Sequence, residues 1–137
     1  MMVRRPPVSG TFRPQLRPRL RVMRGKAVPL GPGKADLLAA IRETRSLRRA
    51  AASLGMSYMR AWTLVKTMNE TFARPVVLLR RGGVAHGGAT LTATGATALA
   101  LYRRMETKCV RAVAPEWRRL QRLLRPRPRK ASPKAAP

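Results

Sequence analysis

Few side chains in this chain could make or break bonds. His86 is the only histidine, Cys109 the only cysteine, and the five carboxylates (Asp36, Glu43, Glu70, Glu106, Glu116) are scattered. A metal centre or a thiol–imidazole dyad needs several such groups gathered at ligand or proton-transfer spacing. No gathering of that kind is visible, and no cofactor motif is present. Gly82-Gly83 and Gly87-Gly88 lack the strand–helix context of a dinucleotide fingerprint. The chain is therefore expected not to be an enzyme, and to hold neither a metal nor a cofactor. Cys109 is expected to be a small packed residue, and His86 a solvated side chain or an incidental phosphate contact.

What the sequence does offer is cationic hydrogen-bond donors. Thirty Lys/Arg stand against five Asp/Glu, a formal net charge of +25 over 137 residues. Residues 1–30 carry eight basic and no acidic residues, as do residues 117–137, and 31–116 carry fourteen basic and five acidic. Such an excess attracts polyanions. Nucleic acid is the favoured partner, ahead of an anionic membrane surface. A single cysteine permits no internal disulfide and suits a reducing cytoplasm. No apolar run is long enough for a membrane span, and no signal peptide follows the N-terminal arginines.

Elements must position these cations, and Ser46–Phe72 reads as two helices around a tight turn. Ser46 and Ser57 are cap residues. Ala50, Ala51 and Leu54 share one face of the first helix; Ala61, Leu64, Val65 and Met68 share the buried face of the second. Gly55 supplies the left-handed turn residue. This is a helix-turn-helix pattern. Met59, Thr63 and Lys66 fall on the outer side with Arg60 on a flank, and Trp62 is expected to be packed at the helix edge. Before it, Ala35–Thr44 reads as a short amphipathic helix. After it, Val76–Leu79 and Ala89–Leu91 read as a hairpin whose Gly-rich tip spans Arg80–Gly88, a "wing". Thr92 or Thr94 caps a last helix with an apolar seam of Leu99, Tyr102, Met105, Cys109, Val113, Trp117, Leu120 and Leu124. A continuous helix over 93–124 would reach about 48 Å, and Pro115 kinks or restarts it.

The domain plan is thus a disordered basic arm (1–33), a winged helix-turn-helix (34–92), a dimerisation helix (93–124) and a disordered basic tail (125–137). Met23 is an alternative start. The fold class expected is mainly α with a small β-hairpin wing.

The residues Ser46 to Ala51 with Gly55, Ser57-Tyr58, Ala61-Trp62, Met68-Asn69, Gly82-Gly83, Gly87-Gly88-Ala89, Leu91-Thr92, Gly95 and Leu101-Tyr102 carry a resemblance. Residues 35–105 resemble the N-terminal DNA-binding domain of molybdate-dependent (ModE-type) transcriptional regulators, which are related to LysR-type regulators. The resemblance implies a homodimer that reads a palindromic promoter site, with Ser57, Tyr58, Met59 and Arg60 opening the recognition helix. Departures from the pattern are Arg45 in place of a usual Gly, Val84-Ala85-His86 in the wing, and Leu78-Leu79 before Arg80-Arg81. No molybdate-binding domain follows, so no molybdate site is expected in this chain.

The expectations are therefore a cytoplasmic, nucleoid-associated, DNA-binding transcription regulator. Arg48, Ser57, Tyr58, Met59, Arg60, Thr63, Lys66, Arg80, Arg81, Gly82 and Gly83 would face double-stranded DNA. Leu99, Tyr102, Met105, Cys109, Val113, Trp117 and Leu120 would face a second copy. The alternatives are a winged-helix protein-interaction module and a non-specific nucleic-acid binder.

Overall fold

The computed structural model describes residues 13–80 and 88–125. Strands β1 (Val22–Arg24) and β2 (Ala27–Leu30) lead into helices α1 (Pro32–Thr44), α2 (Leu47–Ser53) and α3 (Tyr58–Thr71). Strands β3 (Val77–Leu79) and β4 (Ala89–Leu91) follow, then helices α4 (Ala93–Ala112) and α5 (Ala114–Leu123). Each pair of strands forms its own two-stranded antiparallel sheet. In the second, Val77 faces Leu91 and Leu79 faces Ala89.

α1 is the centre of the core. Its Ala35, Leu37, Leu38 and Ile41 are fully buried, and they meet Leu47, Ala50 and Ala51 of α2 and Ala61, Val65 and Met68 of α3. Val76, Val77 and Ala89 close one side, and Leu99 and Tyr102 of α4 another. Small residues at 50, 51 and 61 let α2 and α3 cross closely. The turn between them is held by the amide of Met56 donating to the carbonyl of Ala51 at 3.0 Å, with Gly55 at φ +67°. Ser46 and Ser57 hydroxyls accept from the amides of Arg49 and Arg60, and Thr92 accepts from Gly95. These caps satisfy helix-end donors that would otherwise lack partners.

The expected fold class is corrected on two counts. First, there are two small sheets. Residues 22–30 form a hairpin with Gly25 at φ +62° in its turn. Within the expected disordered arm, Leu16, Pro18 and Leu20 are half-buried between exposed neighbours, an alternation proper to an extended segment on a surface. The Tyr102 hydroxyl donates to the carbonyl of Leu20 at 2.8 Å, Arg24 donates to the carbonyl of Thr71, and Lys34 to that of Val28. Burial, with Glu106 nearby, pushes the Tyr102 phenol above its ordinary range, and burial lowers the Lys34 ammonium. Leu30 is buried, which supplies apolar area that composition alone did not credit to this segment. Second, one long last helix is replaced by two, the restart that was one of the two outcomes expected of Pro115. Val113 ends α4, and Pro115 lies in the first turn of α5, where a missing amide costs no helical bond. The architecture is five helices with two small antiparallel sheets.

Arg45 closes α1 in the left-handed region, at φ 54° and ψ 26°, with its amide donating to the carbonyl of Ile41. A side chain there costs about 1 kcal/mol. Arg45→Gly is expected to stabilise the fold by roughly 0.5–1 kcal/mol, since glycine's greater freedom in the unfolded chain offsets part of the relief. A thermal melt of the two proteins checks it; an unchanged or lower midpoint would show that the Arg45 stem contributes packing worth the strain.

Candidate anion-binding face

The outer side of α3 is set by its inner side. With Ala61, Val65 and Met68 buried, helical geometry turns Met59, Arg60, Thr63 and Lys66 outward, and all four are exposed. Met59 is 64% exposed, which for a thioether side chain on a well-packed helix marks an open surface. Arg48, from α2, lies over the ring of Tyr58 at 5.2 Å from its centroid, and Lys66 lies over the ring of Trp62 at 5.5 Å. Two cations thus lie over aromatic rings that share one flank of the helix, an arrangement that favours a positive charge over the ring face. Trp62 is not packed away as expected. It is 38% exposed and borders a hollow of about 270 Å³ shared with Val65, Lys66 and Leu79.

The face carries one carboxylate, Glu70, 4.0 Å from Lys66. Both partners are largely exposed, so the pair contributes at most a few tenths of a kcal/mol. Elsewhere Arg103 joins Asp36 and Glu106 at 2.9 Å each. Burial works against the Arg103 charge, but the two carboxylates outweigh it and raise its pKa. Arg48, Arg60 and Lys66 have no such strong partner among the described residues.

The expected site residues fall into three groups. Arg48, Tyr58, Met59, Arg60, Thr63 and Lys66 share one exposed face. Ser57 is exposed, but its hydroxyl is engaged as the α3 cap, and the Thr63 hydroxyl donates to the carbonyl of Met59 at 2.9 Å. Arg80 is exposed at the end of β3, its amide donating to the carbonyl of Gly88 at 2.7 Å. Arg81, Gly82, Gly83 and His86 lie outside the described residues. Of the residues assigned to a second copy, Leu99 and Tyr102 belong to the chain's own core, each 1% exposed, so the seam is corrected there. The core takes the first half of that seam because α1 and the segment around Leu20 already cover it. Met105, Val113 and Leu120 stay exposed; Cys109 and Trp117 are half-buried.

Asn69 stands among the residues that carry the resemblance, but its role as a clamp escaped the sequence reading. Its side-chain oxygen accepts from the amides of Val76 and Val77 at 2.8 and 3.2 Å, and its amide donates to the carbonyl of Val77 at 3.0 Å. It fixes the end of the chemical face against β3. A lone Asn near a helix end gives no sign of this, because its partners lie across a turn.

The described residues contain no group of three or more His, Cys, Asp or Glu able to hold a metal ion. Direct ligation of a metal on this face has no support. An anion bound through oxygen atoms does fit, since guanidinium and ammonium groups donate to such oxygens.

Comparison with known proteins places these features beside molybdenum proteins. The chain is 44% identical over 77 residues to the molybdenum-pterin-binding protein MopB of Rhodobacter capsulatus, covering 56% of this chain and 28% of that protein. It is 40% identical over 70 residues to the molybdenum transport protein ModE of Azotobacter vinelandii, covering 51% of this chain and 26% of that protein. It is 32% identical over 94 residues to the molybdenum-pterin-binding protein MopA of Rhodobacter capsulatus, covering 69% and 36%. The chain thus spans about a quarter to a third of the length of these relatives. No protein-family model matches it.

These relatives correct the expected recognition and function. The proteins at 44% and 32% identity are named for binding molybdenum-pterin. The expectations of a LysR-like winged-helix regulator, of double-stranded DNA as partner and of no molybdate site give way to a molybdenum-linked reading. The two alternative functions are withdrawn with them, and nucleoid association is not shown. The three relatives are named as binding and transport proteins, not as enzymes. Among the described residues, no helix is long and apolar enough to cross a membrane.

Proposed function

We propose that this chain is a non-enzymatic, cytoplasmic binding module of molybdenum handling, and that the α2–α3 face takes an oxygen-rich molybdenum anion. Molybdate and the phosphate of a molybdenum-pterin share the chemistry required, namely oxygens that accept from cationic donors. The observation that carries the reading is the exposed set of Arg48 over Tyr58, Lys66 over Trp62, and Arg60 on the same helix, with Glu70 the one carboxylate paired with any of them among the described residues. Arg60 would point its guanidinium at the anion. Arg48 and Lys66, held over rings that share one flank of α3, would add charge along that flank, and Thr63 would donate only if its hydroxyl left the Met59 carbonyl. Arg80 would extend the positive field from the end of β3. The relatives' names supply the molybdenum, and the residues on the face supply the anion chemistry.

Equilibrium dialysis of the full chain against molybdate, with sulfate as control, tests this. The chain is expected to retain molybdate in preference to sulfate. Arg60→Ala with Lys66→Ala should weaken retention about tenfold or more, the loss of one or two charge-assisted hydrogen bonds, with an unchanged circular dichroism spectrum. Retention of neither molybdate nor a molybdenum-pterin at millimolar concentration would overturn the reading. So would capture of a random DNA duplex alone.

A further inference from the structure

α4 and α5 carry a row of cations. Gly95, Leu99 and Tyr102 form the buried side of α4. Helical geometry places Arg104, Lys108 and Arg111 on the opposite side, and all three are exposed. On α5, Val113, Trp117 and Leu120 border a groove beside Leu16. Arg118 and Arg122 stand on the side away from that groove and are also exposed. The amides of Val113 and Trp117 donate to the carbonyls of Cys109 and Val113 at 3.2 and 2.9 Å, so the helical turn is carried across the junction of α4 with α5. The five cations thus follow one another one or two turns apart, over roughly 27 Å. None of them joins an ion pair among the described residues; Glu106 is taken by Arg103, and Glu116 lines the groove. Like charges one turn apart repel, and no carboxylate on the row offsets that repulsion.

We propose that this row binds a linear polyphosphate chain. Four of the five cations are arginines, whose paired N–H groups match phosphate oxygens. Thr107 and Pro115 stand among them, so no large apolar side chain interrupts the row. That absence argues against a partner helix, which docks through apolar anchors, and against insertion into a membrane, which needs an apolar face beside the cations. No aromatic ring on the row offers a platform for unpaired bases. The phosphates of a duplex wind about its axis, whereas these cations run straight along a helix. A flexible chain with an anionic charge on every unit can lie along them and release counterions as it does. The proposal is independent of what the α2–α3 face binds.

Because the whole chain is cationic, the test must separate this row from net charge. Fluorescence anisotropy of labelled polyphosphate, titrated with the full chain at moderate salt, reads the affinity. Glutamine at 104, 108, 111, 118 and 122 together is expected to weaken binding at least tenfold and to flatten its salt dependence. Glutamine keeps the helix preference of arginine and lysine, and circular dichroism checks the fold. A control removes the same charge elsewhere, with glutamine at the exposed Arg13, Arg17, Arg21, Lys26 and Arg74; it should weaken binding less than threefold. Arg60→Ala with Lys66→Ala should leave polyphosphate binding in place, which keeps this test apart from that of the α2–α3 face. Pyrophosphate, too short to span the row, should compete poorly at equal phosphate concentration. Footprinting of the unaltered chain gives a second measurement: polyphosphate is expected to shield the Lys108 ammonium from acylation and to leave that of Lys26 reactive. Equal losses in the two five-fold variants, equal shielding of Lys108 and Lys26, or binding at least as tight to polyglutamate, a random DNA duplex or anionic lipid vesicles would overturn the proposal.

Discussion

Replacing Gly95 by alanine is expected to lower the midpoint of thermal unfolding by about 10 °C or more. Gly95 is buried in the first turn of α4, where Thr92 caps the helix and also donates its hydroxyl to the carbonyl of Pro75 at 2.6 Å. The Thr92 amide donates to the carbonyl of Val76 at 3.0 Å. These bonds draw the start of α4 tightly onto the chain before β3. A Cβ at Gly95 would overlap the Val76 carbonyl and its Cα, which are backbone atoms with little freedom to retreat. Alanine favours helix over glycine by about 1 kcal/mol, so local preference alone points toward stabilisation. The overlap should exceed that gain, at a net cost of about 3 kcal/mol, and a loss of that size moves the midpoint by roughly the amount stated. Gly33→Ala is the internal control. It lies in the first turn of α1 with nothing within 4 Å of an added Cβ, so it should leave the midpoint unchanged or slightly raised. Calorimetry on the two variants decides; an undiminished midpoint for Gly95→Ala would mean that α4 and the Val76 backbone separate at little cost.

Asn69→Ala is expected to destabilise the fold by about 2–4 kcal/mol. The single side chain satisfies two amides and one carbonyl of Val76 and Val77, both of which are buried. Alanine would leave those groups without partners, and a buried orphan costs about 1–3 kcal/mol; water admitted beside Trp62 would recover part of it. The loss should be local at first. Hydrogen exchange is expected to quicken at Val76 and Val77 before it does in α1, because α1 is held by packing and not by this clamp. Uniform acceleration over both regions would show instead that β3 and the helices open as one unit. Asn69→Asp separates charge from geometry: it keeps the acceptor for both amides and loses only the donor to Val77.

Much of the helical frame was legible because it rests on local rules. Ser46, Ser57 and Thr92 each stand one residue before an apolar helical period, and each caps the helix that follows. Gly55 and Arg45 occupy the two left-handed positions that the turns between α1, α2 and α3 demand. The outward side of α3 followed from the periodicity of Ala61, Val65 and Met68. The hairpin at 22–30 was not legible, since Arg and Pro dominate its neighbourhood and its stability comes from Leu30 meeting the core and from the Tyr102–Leu20 bond, 82 residues apart in sequence. The functional assignment from resemblance also changed. The residues that carry it mark a fold segment, whereas the three relatives compared above are named for molybdenum-pterin binding and molybdenum transport, and this segment is only a part of each.

Spacing of apolar and capping residues alone settled where α2 and α3 begin, which side of α3 faces inward, and that its outer side is cationic. Those features depend on helical period and hydrogen-bond caps, which act within a few residues. Only the tertiary structure decided that Leu99 and Tyr102 serve this chain's own core while α5 is left bare, that Trp62 stays at the surface under Lys66, and that Asn69 ties α3 to β3. Each of these is set by which distant segment arrives to compete for a face, and a periodic pattern shows that a face is apolar without showing what covers it.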